Sequence, residues 1–320
     1  MGLTNESFLP DPTECAEAWR EVRWPNGVFC VACGSTDVEC RTSSYRGHLC
    51  RYHCLDCDKW FSDVTDTALA YSKVDLPRWI YLMRELDKGR PVDQIAEEIE
   101  VTYKTALRMA RVVREALYEH RDQWQHLLSG EVEGDDVHLK GGQQGRKVAH
   151  RAPRERGLKQ RGRGTYAGDR PLICAWVARD GPGTVLEMRR DAGKRALFGS
   201  AWRHIEPGSR VDTDTWNGYN LLGHAYDHRS VKHSEEYVTE DGVHCNTAEA
   251  EWSVFKPWWR RFRGVAKRYI YLYLTQYEFA RTYRNLSSSR RLKMMLGSLY
   301  VILEQLFSAH FASYSPSLVH

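Results

Sequence analysis

Apolar residues recur at two different spacings along this chain, and the change of period divides it. Asp75-Leu76-Pro77 reads as a helix start with proline in the first turn; Trp79, Ile80, Leu82, Met83 and Leu86 supply one apolar face, and Gly89 marks the stop. Val92, Ile95, Ala96 and Ile99 form a second helical face, Val101-Thr102 breaks it, and TYKTALRMARVVREAL supplies a third. Two helices joined this tightly predict a helix-turn-helix, in which Lys104, Arg108 and Arg111 would face DNA. A solvated face on a helical bundle explains the same spacing.

Further along the segments shorten and become strand-like. EVEGDDVHL, RPLICAWVARD, TVLEMRRD and SRVDTDT read as four strands, the last ending in the turn Trp216-Asn217-Gly218-Tyr219. A helix beginning near Gly193-Lys194 lies between the third and fourth, so residues 131–285 are expected to form a mixed α/β region. The stretch from Leu292 to Leu306 reads as a closing apolar helix within a C-terminal segment, residues 286–320. No apolar run approaches the ~20 residues of a membrane span, and MGLTNESFLPDPTE lacks the charged-then-apolar order of a signal peptide. A cytoplasmic protein with no membrane association is the expectation.

The net charge of +4 changes meaning once it is located. Residues 140–170 hold ten Lys or Arg against Glu155 and Asp169, with seven glycines and almost no large apolar residues. Such a loop cannot bury enough surface to fold by itself. It is either simply solvated or a grip on nucleic-acid phosphates.

Four of the nine cysteines are ordered as Cys30-Val-Ala-Cys33 and Cys54-Leu-Asp-Cys57. Each CxxC turn presents two thiolates to one metal, so the set reads as a zinc ribbon over residues 28–66, holding a structural Zn²⁺. The segment 1–27 precedes it, and the helical region over 72–125 follows. Cys40 and Cys50 lack a partner at that spacing, and Cys15, Cys174 and Cys245 read as packing thiols.

The acidic candidates are Asp135, Asp214 and Glu249. In HCNTAEAEWSVFK, Glu249 and Lys256 stand seven apart and would share a helix face. Three converging carboxylates can hold two Mg²⁺ ions for in-line phosphoryl chemistry. Each has a rival: Asp136 beside Asp135, Asp212 on the same strand face as Asp214, and Asn246 capping a helix with Glu249 as its box partner. Pro257 is expected to end the helix at Lys256. Beyond it, WWRRFRGVAKR interleaves aromatics with Arg260 and Arg261, which suits either nucleic-acid contact or packing.

Taken in order, these features resemble the insertion-sequence DDE transposases of the ISXO type, in the IS fifteen-ninety-five group. The resemblance rests on CVACGS with HCLDCDKWF, on KVDLPRWIYLM and VTYKTALRMARVVREAL, and on Asp135-Asp136 followed by Lys140-Gly141-Gly142. Thr213-Asp214 with Gly218-Tyr219, Lys232-His233-Ser234, and the series His244, Asn246, Glu249, Trp252, Lys256 complete it. It implies an RNase H-like, retroviral-integrase-type catalytic core over residues 131–285, with the basic loop 140–170 inside it, preceded by the ribbon and the helix-turn-helix. It also implies Asp135, Asp214 and Glu249 as a triad binding Mg²⁺ or Mn²⁺, with Lys256 on transposon-end DNA. The implied partners are double-stranded DNA, both the terminal inverted repeats and the target, and further copies of the chain in a synaptic complex. The implied reaction is phosphodiester hydrolysis at the element's ends and transfer of the 3′-hydroxyls. Two other readings keep the same residues: a DNA-binding protein of transposase descent without catalysis, and an RNase H-like nuclease.

Overall fold

The structure, a computed structural model, describes residues 8–141, 166, 170–181, 183–232 and 242–300. Most of the basic loop and His233-Ser234 lie outside the described residues. The chain forms two compact units, Met1–His120 with Leu286–His320, and Arg121–Asn285.

The first unit opens with α1 (Pro12–Arg23), capped by the Asp11 carboxylate, which accepts the N–H groups of Thr13 and Glu14 at 2.8 and 3.0 Å. A three-stranded antiparallel sheet follows: β1 (Val38–Tyr45), β2 (Leu49–Cys54) and β3 (Trp60–Ser62). Its small core is aromatic, with Tyr52 stacked on Phe61 at 5.2 Å and Trp24 edge-on to both. Buried Asp63 ties the sheet to α1: it accepts from Tyr52 Oη at 3.0 Å and Arg20 Nη1 at 3.1 Å, while its carbonyl accepts the Trp19 indole N–H.

Three helices continue the unit: α2 (Leu76–Asp87), α3 (Val92–Glu98) and α4 (Tyr103–Glu119). The expected signals operate, since Asp75 caps α2 and Gly89 after it has φ +72°. Between α3 and α4 the chain turns in four residues, with Glu100 left-handed at φ +54° and Thr102 capping α4 through the Thr105 N–H. Ala106, Met109, Ala110, Val113 and Leu117 make the buried stripe of α4.

The second unit starts with the short α5 (Arg121–Trp124) and is organised by a five-stranded sheet. Its strands are β4 (Glu131–His138), β5 (Leu172–Ala178), β6 (Thr184–Arg189), β7 (Arg210–Asp214) and β8 (Asp227–Val231), in the order β6-β5-β4-β7-β8. β4 pairs antiparallel with β5, and β5 with β6, whereas β4, β7 and β8 run parallel. This is the strand order and direction of an RNase H-like sheet.

Between β6 and β7 comes α6 (Lys194–His204), which covers one face through Leu197 and Ala201 against Cys174, Trp176 and Val211. The other face is covered by α7 (Asn246–Arg260) and α8 (Ile270–Thr282), which pack on Ile173, Ala175 and Val177. Alternate β5 residues therefore point to opposite cores, which is why LICAWVA is apolar throughout. Gly134 in β4 has a packing cause: a Cβ there would lie 2.4 Å from the Trp176 ring. Inside this unit Glu278 is fully buried, with both carboxylate oxygens 2.7 Å from Arg121 Nη2.

Finally α9 (Ser288–Ser298) returns to the first unit. Met295, Leu296 and Leu299 are buried, Arg291 Nε lies 2.9 Å from both oxygens of Asp87, and the Leu299 carbonyl accepts the Ala68 N–H.

Two local expectations are corrected. DHRSV, not among the four expected strands, forms the edge strand β8, where only one side need be paired and Val231 alone is buried among its residues. Pro257 does not end α7, which runs on to Arg260. The lost N–H bond is offset because Trp258 and Trp259, which directly follow it, pack on Phe255, Tyr273 and Tyr277.

Candidate functional site

In a strand, residues two apart share a face, and Glu131, Glu133 and Asp135 on β4 therefore point the same way. The parallel register pairs Glu131 with Arg210, Glu133 with Asp212 and Gly134 with Thr213, which sets Asp135 beside Asp214. Ala175 opposite Asp135 belongs to the core under α7, so this charged column faces that helix.

The column has two layers of different electrostatics. In the lower one Asp212, 1% exposed, accepts from Arg179 Nη2 at 2.8 Å and from Arg210 Nε and Nη2 at 2.9 Å each. The same arginines bridge to Glu131. Glu133, also buried, accepts from Arg179 Nε at 3.0 Å. Asp212, on the strand face of Asp214, is thus engaged by two arginines beneath the other acids.

Above it, Asp135 and Asp214 make no ion pair among the described residues; a backbone N–H serves each, from Asp136 at 2.7 Å and Trp216 at 2.9 Å. Desolvation chiefly, with the neighbouring charges of Asp136 and Asp214, pushes the Asp135 carboxyl up to about 6. The buried indole N–H of Trp252 is turned toward Asp135 without completing a hydrogen bond. Two hard carboxylate donors on neighbouring strands, their negative charge offset by no ion pair among the described residues, fit a divalent cation.

Glu249 lies in the first turn of α7, exposed, and Lys256 follows on the same helix face two turns on, also exposed. The expected capping box is not formed: the cap position is Cys245 and no side chain of the segment caps the helix. Glu133 does so from the sheet. Its Oε2 accepts the N–H groups of Thr247 and Ala248 at 2.7 and 3.0 Å. Among the described residues the only group of three or more ligand-bearing side chains whose atoms all lie within 4.8 Å of one another is Cys30, Cys33, Cys54 and Cys57, so Asp135, Asp214 and Glu249 do not form such a group.

Asp136 points to the opposite face, where its Oδ1 accepts from buried Tyr219 at 3.1 Å. The Gly218-Tyr219 pair has a related logic: a Cβ on Gly218 would lie 2.5 Å from the Trp216 indole nitrogen, so glycine leaves room for that ring, whose N–H reaches the Ala192 carbonyl. The residues that sequence reasoning missed are Glu133, Arg179 and Arg210. Alternation along Glu131-Val132-Glu133-Gly134-Asp135 already held the signal for the first; the arginines come from strand ends and had none.

In the first unit the four cysteines converge. Cys30 Sγ lies 3.6 Å from Cys57 Sγ and Cys33 Sγ 3.6 Å from Cys54 Sγ. A tetrahedral zinc with 2.3 Å bonds separates its sulfurs by about 3.8 Å, so the set could hold zinc. Both knuckles close alike. Gly34 at φ +76° returns its N–H to the Cys30 carbonyl, and Asp58 at φ +60° to that of Cys54. Cys15, Cys174 and Cys245 are buried. On α4, Lys104 and Arg108 are exposed and Arg111 is half-buried; at the end of α7, Arg260 and Arg261 are exposed while Trp258 and Trp259 are engaged in packing.

Comparison with known proteins decides the family. A protein of the transposable element ISH50 from Halobacterium salinarum is 34% identical over 283 residues, 86% of this chain and 92% of that protein. The chain belongs to the family of ISXO2-like transposases. The model of the ISXO2-like transposase domain matches residues 127–282, which span the five-stranded sheet and the helices α6, α7 and α8. Among solved structures, the Mos1 strand transfer complex aligns with the transposase at 12% identity over 71% of this chain and 76% of that one, with a TM-score of 0.29. The Mos1 mariner paired-end complex with Mn gives 11% over 71% and 77%, with a TM-score of 0.25. Likenesses at that level carry no weight in assigning residues. Among the described residues no helix of this transposase is long and apolar enough to cross a membrane.

Proposed function

We propose that this transposase binds the ends of an insertion sequence, hydrolyses a phosphodiester bond there and transfers the resulting 3′-hydroxyl to target DNA. The observation that carries the reading is the contrast within one column of acids: Glu133 and Asp212 are neutralised by arginine, whereas Asp135 and Asp214, on adjacent parallel strands, meet no arginine or lysine among the described residues. Asp135, Asp214 and Glu249 would hold Mg²⁺ or Mn²⁺, which when bound activates the attacking oxygen and steadies the leaving one. The chain's own residues do the rest. β4 and β7 carry two carboxylates on adjacent strands, Glu249 on α7 would supply the third, and Lys256 on that helix would meet a DNA phosphate near the scissile bond. The ribbon with its zinc, Lys104, Arg108 and Arg111 on α4, and Arg260 and Arg261 after α7 would contact double-stranded DNA through phosphates, a salt-dependent attraction. Pairing two ends calls for more than one copy of the chain.

The test is cleavage and strand joining on a duplex carrying the flanking repeat, with Mg²⁺, comparing wild type with Asp214→Asn. Loss of activity by at least ~10²-fold in the variant, with end binding retained, is the expected result. End binding without nicking by the folded wild type would point instead to a DNA-binding protein of transposase descent.

A further inference from the structure

Glu133 is the most heavily engaged carboxylate of the second unit, and the proposed chemistry does not use it. It is fully buried in mid-strand. Its Oε2 takes the N–H groups of Thr247 and Ala248, and its Oε1 takes Thr247 Oγ1 at 2.9 Å and Arg179 Nε at 3.0 Å. His244 Nδ1 also lies 3.0 Å from Oε1, without hydrogen-bond geometry. A carboxylate at a helix N-terminus satisfies orphan donors and meets the positive end of the helix dipole. Here it is supplied by the sheet, two residues before Asp135, to the turn that contains Glu249.

That arrangement measures a distance. Rotation of α7 about its axis is set elsewhere, by Glu251, which accepts from Arg281 Nε and Nη2 at 2.8 and 2.7 Å and from Tyr277, and by Trp252 and Phe255 in the core. The Glu133 carboxylate pins the start of the helix along its axis, and Arg179 Nη2, 3.3 Å from the His244 carbonyl, supports the residue just before its cap. Arg179 pins that carboxylate in turn, because the same guanidinium spans Glu131, Glu133 and Asp212.

We propose that Glu133 is a positioning residue for the divalent-metal site: as the cap of α7 from within β4, it fixes the place of Glu249 relative to Asp135. This rests on the functional reading above. Gln is isosteric at 133 but offers an amide where Arg179 and the helix N–H groups need an anion. The orienting bond is lost while the volume is kept.

The experiment uses the full-length, zinc-loaded protein and reads two quantities, Mn²⁺ affinity by the free-ion EPR signal and amide exchange of the segment 244–252, in wild type, Glu133→Gln and Asp214→Asn. Glu133→Gln is expected to expose the Thr247 and Ala248 amides to faster exchange and to weaken Mn²⁺ binding ~tenfold, with cooperative unfolding retained. Faster exchange with Mn²⁺ affinity unchanged would overturn the proposal, because the cap would then support the helix without placing a ligand. Unchanged exchange would overturn it as well. Absence of any Mn²⁺ binding sensitive to Asp214→Asn in the wild type is a different result, which sinks the metal reading itself. If Glu133→Gln fails to fold, Thr247→Val, which removes one hydroxyl donor to the same carboxylate, carries the same pair of readouts with a smaller expected change.

Discussion

Single residues in this transposase show how little room the sheet leaves around its acids. Gly134 separates Glu133 from Asp135 because Trp176 occupies the space a side chain would need. Gly134→Ala should cost about 1–3 kcal/mol through overpacking, measured by chemical denaturation, with a parallel loss of activity as β4 shifts. Glu187 gives a pH signature at the opposite face. Burial opposes its charge, but His204, Ser200 and Arg203 outweigh that and hold the carboxyl down to about 2. A depressed acid stabilises the fold above its unfolded value near 4.5, and that contribution fades as pH falls through the folded value. The stability deficit of Glu187→Gln should therefore be full at pH 5 to 6 and shrink on acidification toward pH ~2, as followed by urea unfolding across that range. Residues of this kind differ in how far sequence exposes them. Asp135, Asp214 and Glu249 could be named from spacing and resemblance. Glu133, equally visible in the alternation of β4, could not be given a task, because its partners on α7 lie more than a hundred positions away and no local pattern joins them.

Elements were legible where their signals are local. The capped helix from Leu76, its glycine stop and the break before α4 follow from short-range backbone chemistry, and each CxxC turn closes through a bond to its own first cysteine. β8 was hidden because its hydrogen bonds come from β7 and its composition answers to solvent on the other side. α7 was misjudged at Pro257 since the aromatic packing that carries it onward is contributed by α8. The three-stranded sheet depends on its knuckles: with a core of few residues, it has little besides Cys30, Cys33, Cys54 and Cys57 to hold its two ends together. Chelation of zinc, or Cys54→Ser, should unfold this element while leaving the five-stranded sheet intact. Amide exchange should show residues 28–62 losing protection while 131–138 and 172–178 keep theirs.

The whole chain is not a string of units laid end to end. α9 comes from beyond the second unit yet buries Met295, Leu296 and Leu299 in the first, where Asp87 meets Arg291 and Glu21 meets Lys293 at 2.6 Å. No sequence pattern announces this, since the apolar face of α9 is equally suited to any helical neighbour. Truncation after Asn285 should therefore lower the stability of the first unit by about 2–5 kcal/mol, with α2 and α4 losing amide protection before any strand of the large sheet. The return of α9 also sets an order in time. A ribosome releases the four-cysteine segment early, but the helices that follow it wait for their last partner until the entire acidic sheet has been synthesised. Prematurely ended translation products would carry the cysteines and α4 on an incomplete scaffold, without the helix that completes the first unit's core.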